Sequence, residues 1–241
     1  MIIQTFDDAR ALARDLATRV LLRIERQPAL VLGLPTGRTP LPFYEALRTL
    51  SGTRGTPWSA VRTFNLDEFV GVPPGHPGSY RAYMNRELFE PVGLRPEQIG
   101  FLDGTAGDLE AECRRYERAI ADAGGIDLMI LGIGGNGHIG FNEPADGLIA
   151  GSHRARLQPA TRASNAALFG GDASRVPEEA LSMGMATILR ARGIVLIATG
   201  PGKADAVDRM VNGPITTRLP ASFLQLHPAV TVLVDAAASP R

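Results

Sequence analysis

The sequence predicts an α/β protein built on a Rossmann-like, doubly wound, mostly parallel sheet with helices on both faces. Short apolar runs, typical of buried strands, alternate along the chain with segments whose apolar residues recur at helical spacing. One run, residues 126–131, leads directly into glycines, which is typical of a strand buried on both faces of a parallel sheet. No repeat, linker or low-complexity tract interrupts the 241 residues, so we expect a single domain spanning residues 1–241.

The predicted elements follow in a regular order. Asp7 or Asp8 can cap a first helix. Apolar residues recur in it at helical spacing, namely Leu12, Leu16, Val20 and Ile24. Further helices are predicted at residues 41–50, 79–89, 108–123, 178–190 and 203–211. Strands are predicted at residues 29–34, 61–66, 126–131, 194–199 and 230–234.

Composition excludes several classes of protein. The chain carries 25 basic and 25 acidic residues, and this balance favours neither nucleic acid nor an anionic membrane as a partner. Cys113 is the single cysteine, so no internal disulfide is possible and a reducing compartment is indicated. The first residues lack the basic start of a secretory signal, and no apolar run approaches the roughly 18 residues of a membrane span. We therefore expect a cytoplasmic protein.

The strongest candidate for an active site is the loop at residues 132–145, GIGGNGHIGFNEPA. It places Asn136, His138, Asn142 and Glu143 among five glycines, beyond the carboxyl end of a predicted strand, where open α/β sheets bind ligands. A glycine-rich turn with purely structural polar residues is one interpretation. A dinucleotide motif is excluded, because no helix begins directly after GIGGNG and no acidic strand end follows at the required distance. The third interpretation is acid–base catalysis, in which Glu143 orients His138.

Two other glycine turns are candidate anion sites. The first strand is followed by GLPTGRTP, where Thr36, Gly37, Arg38 and Thr39 precede a predicted helix whose free amide groups and dipole favour phosphate. An ordinary helix start, with Thr39 as the cap and Pro40 in the first turn, is an equally good interpretation of this pattern. A similar turn, GPGK, ends in Lys203, which can add a point charge to the same anion.

The second strand ends in two adjacent carboxylates, Asp67 and Glu68. Adjacent side chains on a strand point in opposite directions, so at most one of them is expected to face the site. A carboxylate screened from water would have a raised pKa and could act as a base near neutral pH, whereas a surface pair is the alternative. His76, in a turn rich in proline and glycine, is expected to be structural.

Several of these segments together resemble the glucosamine-6-phosphate deaminase (glucosamine-6-phosphate isomerase) family. The matching segments are GIGGNGHIGFNEPA, TFNLDEFVGVPPGHPGSY, the GLPTGRTP and GPGK turns, ALSMGMATIL and LQLHP, which span nearly the whole chain. The resemblance implies that Asp67 removes the C2 proton of an amino sugar phosphate. It also implies that His138, oriented by Glu143 and Asn136, opens the sugar ring, and that the Thr36 turn and Lys203 bind phosphate.

The reaction implied by the resemblance is glucosamine 6-phosphate plus water giving fructose 6-phosphate plus ammonia, a step of amino sugar metabolism. No metal or other cofactor is expected, and the partner is a small sugar phosphate. Three alternatives stay open: a deaminase for the galactosamine epimer, a 6-phosphogluconolactonase, for which Asp67 would be superfluous, and a non-enzymatic sugar-phosphate sensor. The sequence does not choose between a monomer and a homo-oligomer. Residues 147–177, poor in apolar periodicity, are a candidate lid.

The chain departs from the family pattern in two places. Many relatives have a phosphate-binding arginine where this chain has Ala167, and we expect Arg38, or alternatively Arg162, to supply the missing guanidinium. Larger hexameric relatives bind an N-acetylated sugar phosphate at an allosteric site, and Asp146, His153 and Ala155 occupy positions that need small polar or basic residues there. The sequence also stops at Arg241, short of the C-terminal extension of those relatives. We therefore expect no activation by such a ligand.

Overall fold

A computed structural model describes residues 1–240 of the chain. The strands are β1 (Ile2–Phe6), β2 (Val31–Leu34), β3 (Arg62–Asn65), β4 (Asp67–Phe69), β5 (Ile99–Gly100), β6 (Leu128–Gly132), β7 (His153–Arg156), β8 (Glu179–Ser182), β9 (Ile194–Ala198) and β10 (Val230–Asp235). The helices are α1 (Ala9–Arg26), α2 (Leu41–Arg54), α3 (Tyr80–Met84), α4 (Leu109–Asp122), α5 (Pro159–Asn165), α6 (Met185–Leu189) and α7 (Ala204–Asn212). A π-helical segment, Asn85–Phe89, continues α3.

Seven strands form one sheet in the order β1-β10-β9-β6-β2-β3-β5, and every pairing in it is parallel. The predicted α/β class is therefore confirmed. The central strand β6 explains the two-layered core, because successive side chains of a strand point to opposite faces. Leu128 and Ile130 pack on the face covered by α1 and α2, whereas Met129 and Leu131 pack on the face covered by α4 and α7.

The helix starts also follow from local sequence. Asp8, the predicted cap, accepts hydrogen bonds from the backbone amides of Arg10 and Ala11, both at 2.8 Å, so α1 begins as expected. The predicted Thr39 cap of α2 is wrong by one residue. Pro40 occupies the cap position there, and no side chain bonds to the amides of the first turn. This end of α2 opens toward the cavity described below.

A second, antiparallel sheet in the order β4-β8-β7 corrects the prediction of one helix over residues 178–190. The first part of that segment is β8, which pairs with Asp67 and its neighbours on one side and with β7 on the other. The second part is the short helix α6. Gly184 lies between them. Only glycine fits at this position, because a Cβ would lie 2.1 Å from the carbonyl oxygen of Gly151. The apolar periodicity of the segment is thus overridden by pairing with distant strands.

The sequence prediction also omitted β1, β4, β5 and β7, which are short strands or edge strands. Of the five strands that it did place, all form within the large sheet. Among residues 1–240, none of the helices combines the length and apolar character that crossing a bilayer requires.

Candidate active site

A cavity of about 590 Å³ opens at the carboxyl ends of β2, β3, β6 and β9. This position is where open parallel sheets bind ligands, and the volume lies within the usual range for small-molecule sites. Every predicted site residue except Glu143 lines it, namely Asp67, Asn136, His138, Thr36, Gly37, Arg38, Thr39 and Lys203. Residues that prediction had placed on four separate segments thus line one cavity.

Asp67 lies at the start of β4, immediately after the chain leaves the large sheet. Its side chain is only 6 % exposed, although it borders the cavity. Burial, followed by the negative charge of Glu68, raises the pKa of Asp67 to about 8, and a hydrogen bond with the Thr36 hydroxyl opposes this rise. A carboxyl group with such a pKa exchanges a proton near neutral pH, which is what a general base working at that pH requires.

His138 is held in the loop that follows β6. The backbone closes a tight turn there, with the amide of Gly134 donating to the carbonyl of His138 at 2.9 Å. The imidazole lies against the α-carbon of Gly134, since a Cβ at that position would be 2.3–2.6 Å from three ring atoms. His138 Nδ1 lies 3.5 Å from Glu143 Oε2. A carboxylate at this nitrogen fixes the tautomer and leaves Nε2 available for proton transfer.

Glu143 sits behind His138 rather than in the cavity wall. Asn136 Nδ2 donates to its Oε2 at 2.9 Å, and the Thr161 hydroxyl donates to its Oε1 at 2.5 Å. Burial alone would raise the pKa of Glu143, but its interaction with His138 first, and then the hydrogen bonds from Thr161 and Asn136, outweigh burial and lower the pKa. The carboxylate therefore stays charged beside the imidazole.

Thr161 is a site residue that sequence reasoning missed. It lies on α5, within the segment predicted as a lid, and α5 and the turn after it contribute one wall of the cavity. A second bond joins this wall to α3, since the Tyr80 hydroxyl donates to Asn165 Oδ1 at 2.8 Å. No local pattern in the sequence marks Thr161, because its partner is 18 residues away and the contact depends on the fold.

The Thr36 turn is shaped by backbone and tyrosine contacts. Gly37 has a φ of 103°, which only glycine adopts readily. The Tyr83 hydroxyl donates to the Gly37 carbonyl at 2.7 Å, and the Tyr44 hydroxyl donates to the Pro35 carbonyl at 2.5 Å. Because both carbonyl oxygens accept hydrogen bonds from these tyrosines, the free amide groups at the start of α2 remain available to an anion.

Lys203 brings positive charge to the same end of the cavity. Burial, and then the positive charge of Arg38, lowers the pKa of Lys203. Two neighbouring cations that repel each other in a partly buried site are stabilised when an anion binds between them. Arg38 is exposed and lines the cavity, as does Arg86, which prediction did not consider.

Arg162, the alternative source of a guanidinium, points elsewhere. Its guanidinium donates to the carbonyls of Val176 and Ser174 at 3.0 and 3.1 Å, and it lies 3.8 Å from Glu178. It does not line the cavity, whereas Ala167 does. Among the arginines considered from the sequence, Arg38 alone is therefore at the cavity.

Two other polar residues of the motifs are structural. Asn142 is buried and donates to the carbonyls of Ile139 and Met183 at 2.9 and 2.8 Å. His76 accepts from the Gly78 amide at 3.0 Å and stacks on Phe169 with ring centroids 5.8 Å apart, as its turn-rich surroundings indicated. Within residues 1–240, no three His, Cys, Asp or Glu side chains are grouped as metal ligands.

The geometry as a whole combines three capabilities. Asp67 supplies a carboxyl group that titrates near neutral pH, His138 and Glu143 supply an oriented imidazole, and the cavity is also lined by two cations and an open helix terminus. A ligand with an anionic group at one end and exchangeable protons at the other fits this distribution of charge.

Relatives and solved structures match this chain over nearly its whole length. It is 47 % identical over 232 residues to a glucosamine-6-phosphate deaminase of Streptomyces avermitilis, covering 96 % of this chain and 89 % of the relative. An Arthrobacter glucosamine-6-phosphate deaminase is 48 % identical, with 95 % and 86 % covered. The solved structure of a monomeric glucosamine-6-phosphate deaminase superposes with a TM-score of 0.95 at 39 % identity, covering 99 % of this chain and 98 % of that one.

More distant solved structures share the fold of this chain. A 6-phosphogluconolactonase from Trypanosoma cruzi superposes with a TM-score of 0.79 at 18 % identity, covering 98 % of this chain and 95 % of that one. The family model described as glucosamine-6-phosphate isomerases/6-phosphogluconolactonase matches residues 7–233. The chain belongs to that family.

Proposed function

We propose that this protein is a glucosamine-6-phosphate deaminase, which converts glucosamine 6-phosphate and water into fructose 6-phosphate and ammonia. The observation that carries the proposal is Asp67, a buried carboxyl group with a pKa of about 8, in the same cavity as His138. Removal of a proton from carbon needs such a base, whereas hydrolysis of a lactone does not. The high identity to deaminases supports the same choice.

The phosphate binds at the positive end of the cavity in this proposal. The amides at the start of α2, with the hydroxyls of Thr36 and Thr39, surround it from one side. Lys203 and Arg38 approach from the other and neutralise its charge. The sugar then extends toward Asp67 and His138.

Ring opening comes first, because the sugar arrives mostly as a closed ring. His138 moves the proton of the C1 hydroxyl to the ring oxygen, the C1–O5 bond breaks, and an aldehyde forms at C1. Glu143 stabilises the imidazolium that exists between the two transfers, and Asn136 holds Glu143 in place.

Isomerisation and deamination follow. Asp67 takes the C2 proton, and the electron pair forms a C1–C2 double bond. The C1 carbonyl bond opens toward its oxygen, which takes a proton from solvent, and an amino-enol results. Asp67 returns the proton to C1, which leaves an iminium at C2. Water adds to C2, ammonia leaves, and the ketone of fructose 6-phosphate remains.

The test is ammonia release by the purified protein. Glucosamine 6-phosphate should release ammonia and give fructose 6-phosphate, the galactosamine epimer should react more slowly, and 6-phosphogluconolactone should not be hydrolysed above background. Asp67→Asn should lower kcat by at least about a thousandfold, because the variant has no base for C2. Ammonia release that survives this substitution would remove Asp67 from the mechanism, and lactone hydrolysis without ammonia release would replace the proposed function.

We also propose that the protein acts in the cytoplasm as a monomer. The single cysteine, free and buried, suits a reducing compartment. The similar solved deaminase is described as monomeric. Sedimentation of the purified protein at several concentrations tests the second statement.

A further inference from the structure

Glu68 is a buried carboxylate that the proposed mechanism leaves without a role. It follows Asp67 directly in β4, is 3 % exposed, and does not line the active-site cavity. The two side chains leave the strand on opposite sides, as neighbours in a strand do. Placing a second carboxyl group out of water beside the first is costly, so its surroundings need an explanation.

Those surroundings consist entirely of donors. Glu68 Oε1 accepts from the amides of Phe69 at 2.8 Å and Tyr80 at 3.0 Å. Its Oε2 accepts from the Ser79 hydroxyl at 2.8 Å and the Arg81 amide at 2.9 Å. A protonated carboxyl would turn its own O–H against one of these donors. The arrangement fits the ionised form, which accepts at both oxygens. Burial raises the pKa of Glu68, and these four hydrogen bonds oppose that rise.

The same bonds join β4 to the start of α3. Ser79 accepts from the first amides of α3 while it donates to Glu68, so the carboxylate completes that helix cap. Tyr80, the first residue of α3, lines the cavity and bonds to the α5 wall through Asn165. Glu68 thus fixes two sides of the cavity relative to Asp67.

The charges around the pair are few. Arg81 faces Glu68, and burial lowers the pKa of Arg81 against the opposing effect of Glu68. Three tyrosines, from α2, α3 and α4, face Asp67, namely Tyr44, Tyr80 and Tyr116. Burial is the main cause that raises their pKa values, so they remain neutral. Lys203, Arg38 and His138 face Asp67 across the cavity. Glu68 is the negative charge that acts on Asp67 most directly.

We propose that Glu68 is a positioning residue for the reaction: it fixes the backbone that carries Asp67 and holds a negative charge beside the Asp67 carboxyl. This inference rests on the proposed function, because it assigns Asp67 the part of the base. The charge of Glu68 makes Asp67 a stronger base than burial alone would. The hydrogen bonds of Glu68 hold the β4 backbone in place, so that the Asp67 carboxyl group stays at the cavity.

The test is the pH profile of kcat/KM for ammonia release in the wild type and in Glu68→Gln. Because the charge is removed, the acidic limb should move to lower pH by roughly one unit, the usual effect of one close charge. Asp127→Asn is the matched control, since Asp127 is also buried (4 % exposed) but lies before β6, at the opposite end of the sheet. The acidic limb of the Asp127→Asn profile should stay in place. An unmoved limb in folded Glu68→Gln, or an equal shift in Asp127→Asn, would overturn the proposal.

A second measurement uses the wild-type protein, so it does not depend on whether a Glu68 variant folds. In wild-type protein carrying ¹³C-labelled carboxyl groups, the Glu68 resonance should stay that of a carboxylate throughout the pH range in which Asp67 titrates. Protonation of Glu68 within or above that range would contradict the proposal. If the wild type releases no ammonia, the proposed function fails, whereas the titration still decides whether Glu68 supplies a fixed charge to Asp67.

Discussion

Two buried aspartates of this chain show how surroundings, and not residue type, set the chemistry of a carboxyl group. Asp67 has one charged neighbour of its own sign, and its pKa rises to about 8. Asp127 accepts bonds from the Val31 amide and from Gln27 and forms an ion pair with Arg192. Burial alone would raise its pKa as well, but these partners lower it. The first carboxyl group suits proton transfer, and the second stabilises the fold.

The two aspartates should give opposite dependences of stability on pH. Between the ordinary pKa of 3.8 and about 8, folded protein keeps a proton on Asp67 that the unfolded chain has lost. The free energy of unfolding therefore falls as pH rises through this window. Asp67→Asn lacks that penalty, so urea unfolding from pH 5 to 8.5 should show this variant gaining stability relative to the wild type.

Asp127→Asn is the control for that series. Because the folded-state pKa of Asp127 is lowered, its contribution is present at neutral pH and disappears as pH falls through the folded-state pKa. The deficit of Asp127→Asn should therefore stay constant from pH 5 to 8.5 and shrink only below about pH 4, as pH falls below the ordinary pKa of 3.8. A constant difference between Asp67→Asn and wild type across the window would contradict the raised pKa.

Arg38 is the residue on which phosphate affinity should depend. Arg38→Ala should raise KM for glucosamine 6-phosphate about tenfold and leave kcat nearly unchanged, because a charged hydrogen bond of about 1.5–3 kcal/mol to a group remote from the reaction is lost. Arg14→Ala, an exposed arginine on α1, is the control. An unchanged KM in Arg38→Ala would transfer this role to Arg86, the other arginine at the cavity.

At the level of whole elements, the loop after β6 depends on a close approach between backbone and imidazole. In Gly134→Ala the new methyl group would overlap the His138 ring, so the ring must move. A displacement of about 1 Å can cost about a hundredfold in rate, and we expect a fall of that size in kcat. Gly135→Ala is the matched control, since its Cβ would lie an ordinary 3.7 Å from the Gly202 carbonyl oxygen. Equal losses in the two variants would show that the loop, and not the ring position, is sensitive.

The elements that sequence could predict are those whose signal is local. The apolar run of β6, the Asp8 cap and the glycine turns each carry their cause within a few residues. The site motifs were local too, and the structure places their side chains around one cavity. The segment 178–190 was misread because β8 is decided by its partners β4 and β7. Thr161 was missed for the same reason, since its contact with Glu143 exists only after α5 has packed.

For the whole molecule, we propose that the chain is one domain. β1 pairs with β10, and the large sheet draws strands from both ends of the described residues. The cavity likewise takes its lining from residues as far apart as Thr36 and Lys203. Neither half of the chain contains a complete sheet or a complete site.

We expect no allosteric activation of this protein by an N-acetylated sugar phosphate. The three positions compared with those of hexameric relatives are engaged within the chain. Asp146 pairs with Arg218, His153 Nδ1 bonds to the Gly151 carbonyl at 3.0 Å, and Ala155 is buried in β7. Rates should follow a hyperbola in glucosamine 6-phosphate, with or without N-acetylglucosamine 6-phosphate. Sigmoidal curves that straighten on its addition would prove this expectation wrong.

The strand order has a consequence for the protein while the ribosome is still making it. β6 lies between β2 and β9, so one of its edges has no partner until residues 194–198 have been synthesised. β1 waits longer still, for residues 230–235. A nascent chain therefore displays unpaired, strongly apolar strand edges through much of translation, and such edges invite association with other chains. Loss to association during synthesis is therefore governed by the order in which strands emerge and not by the equilibrium stability of the finished protein.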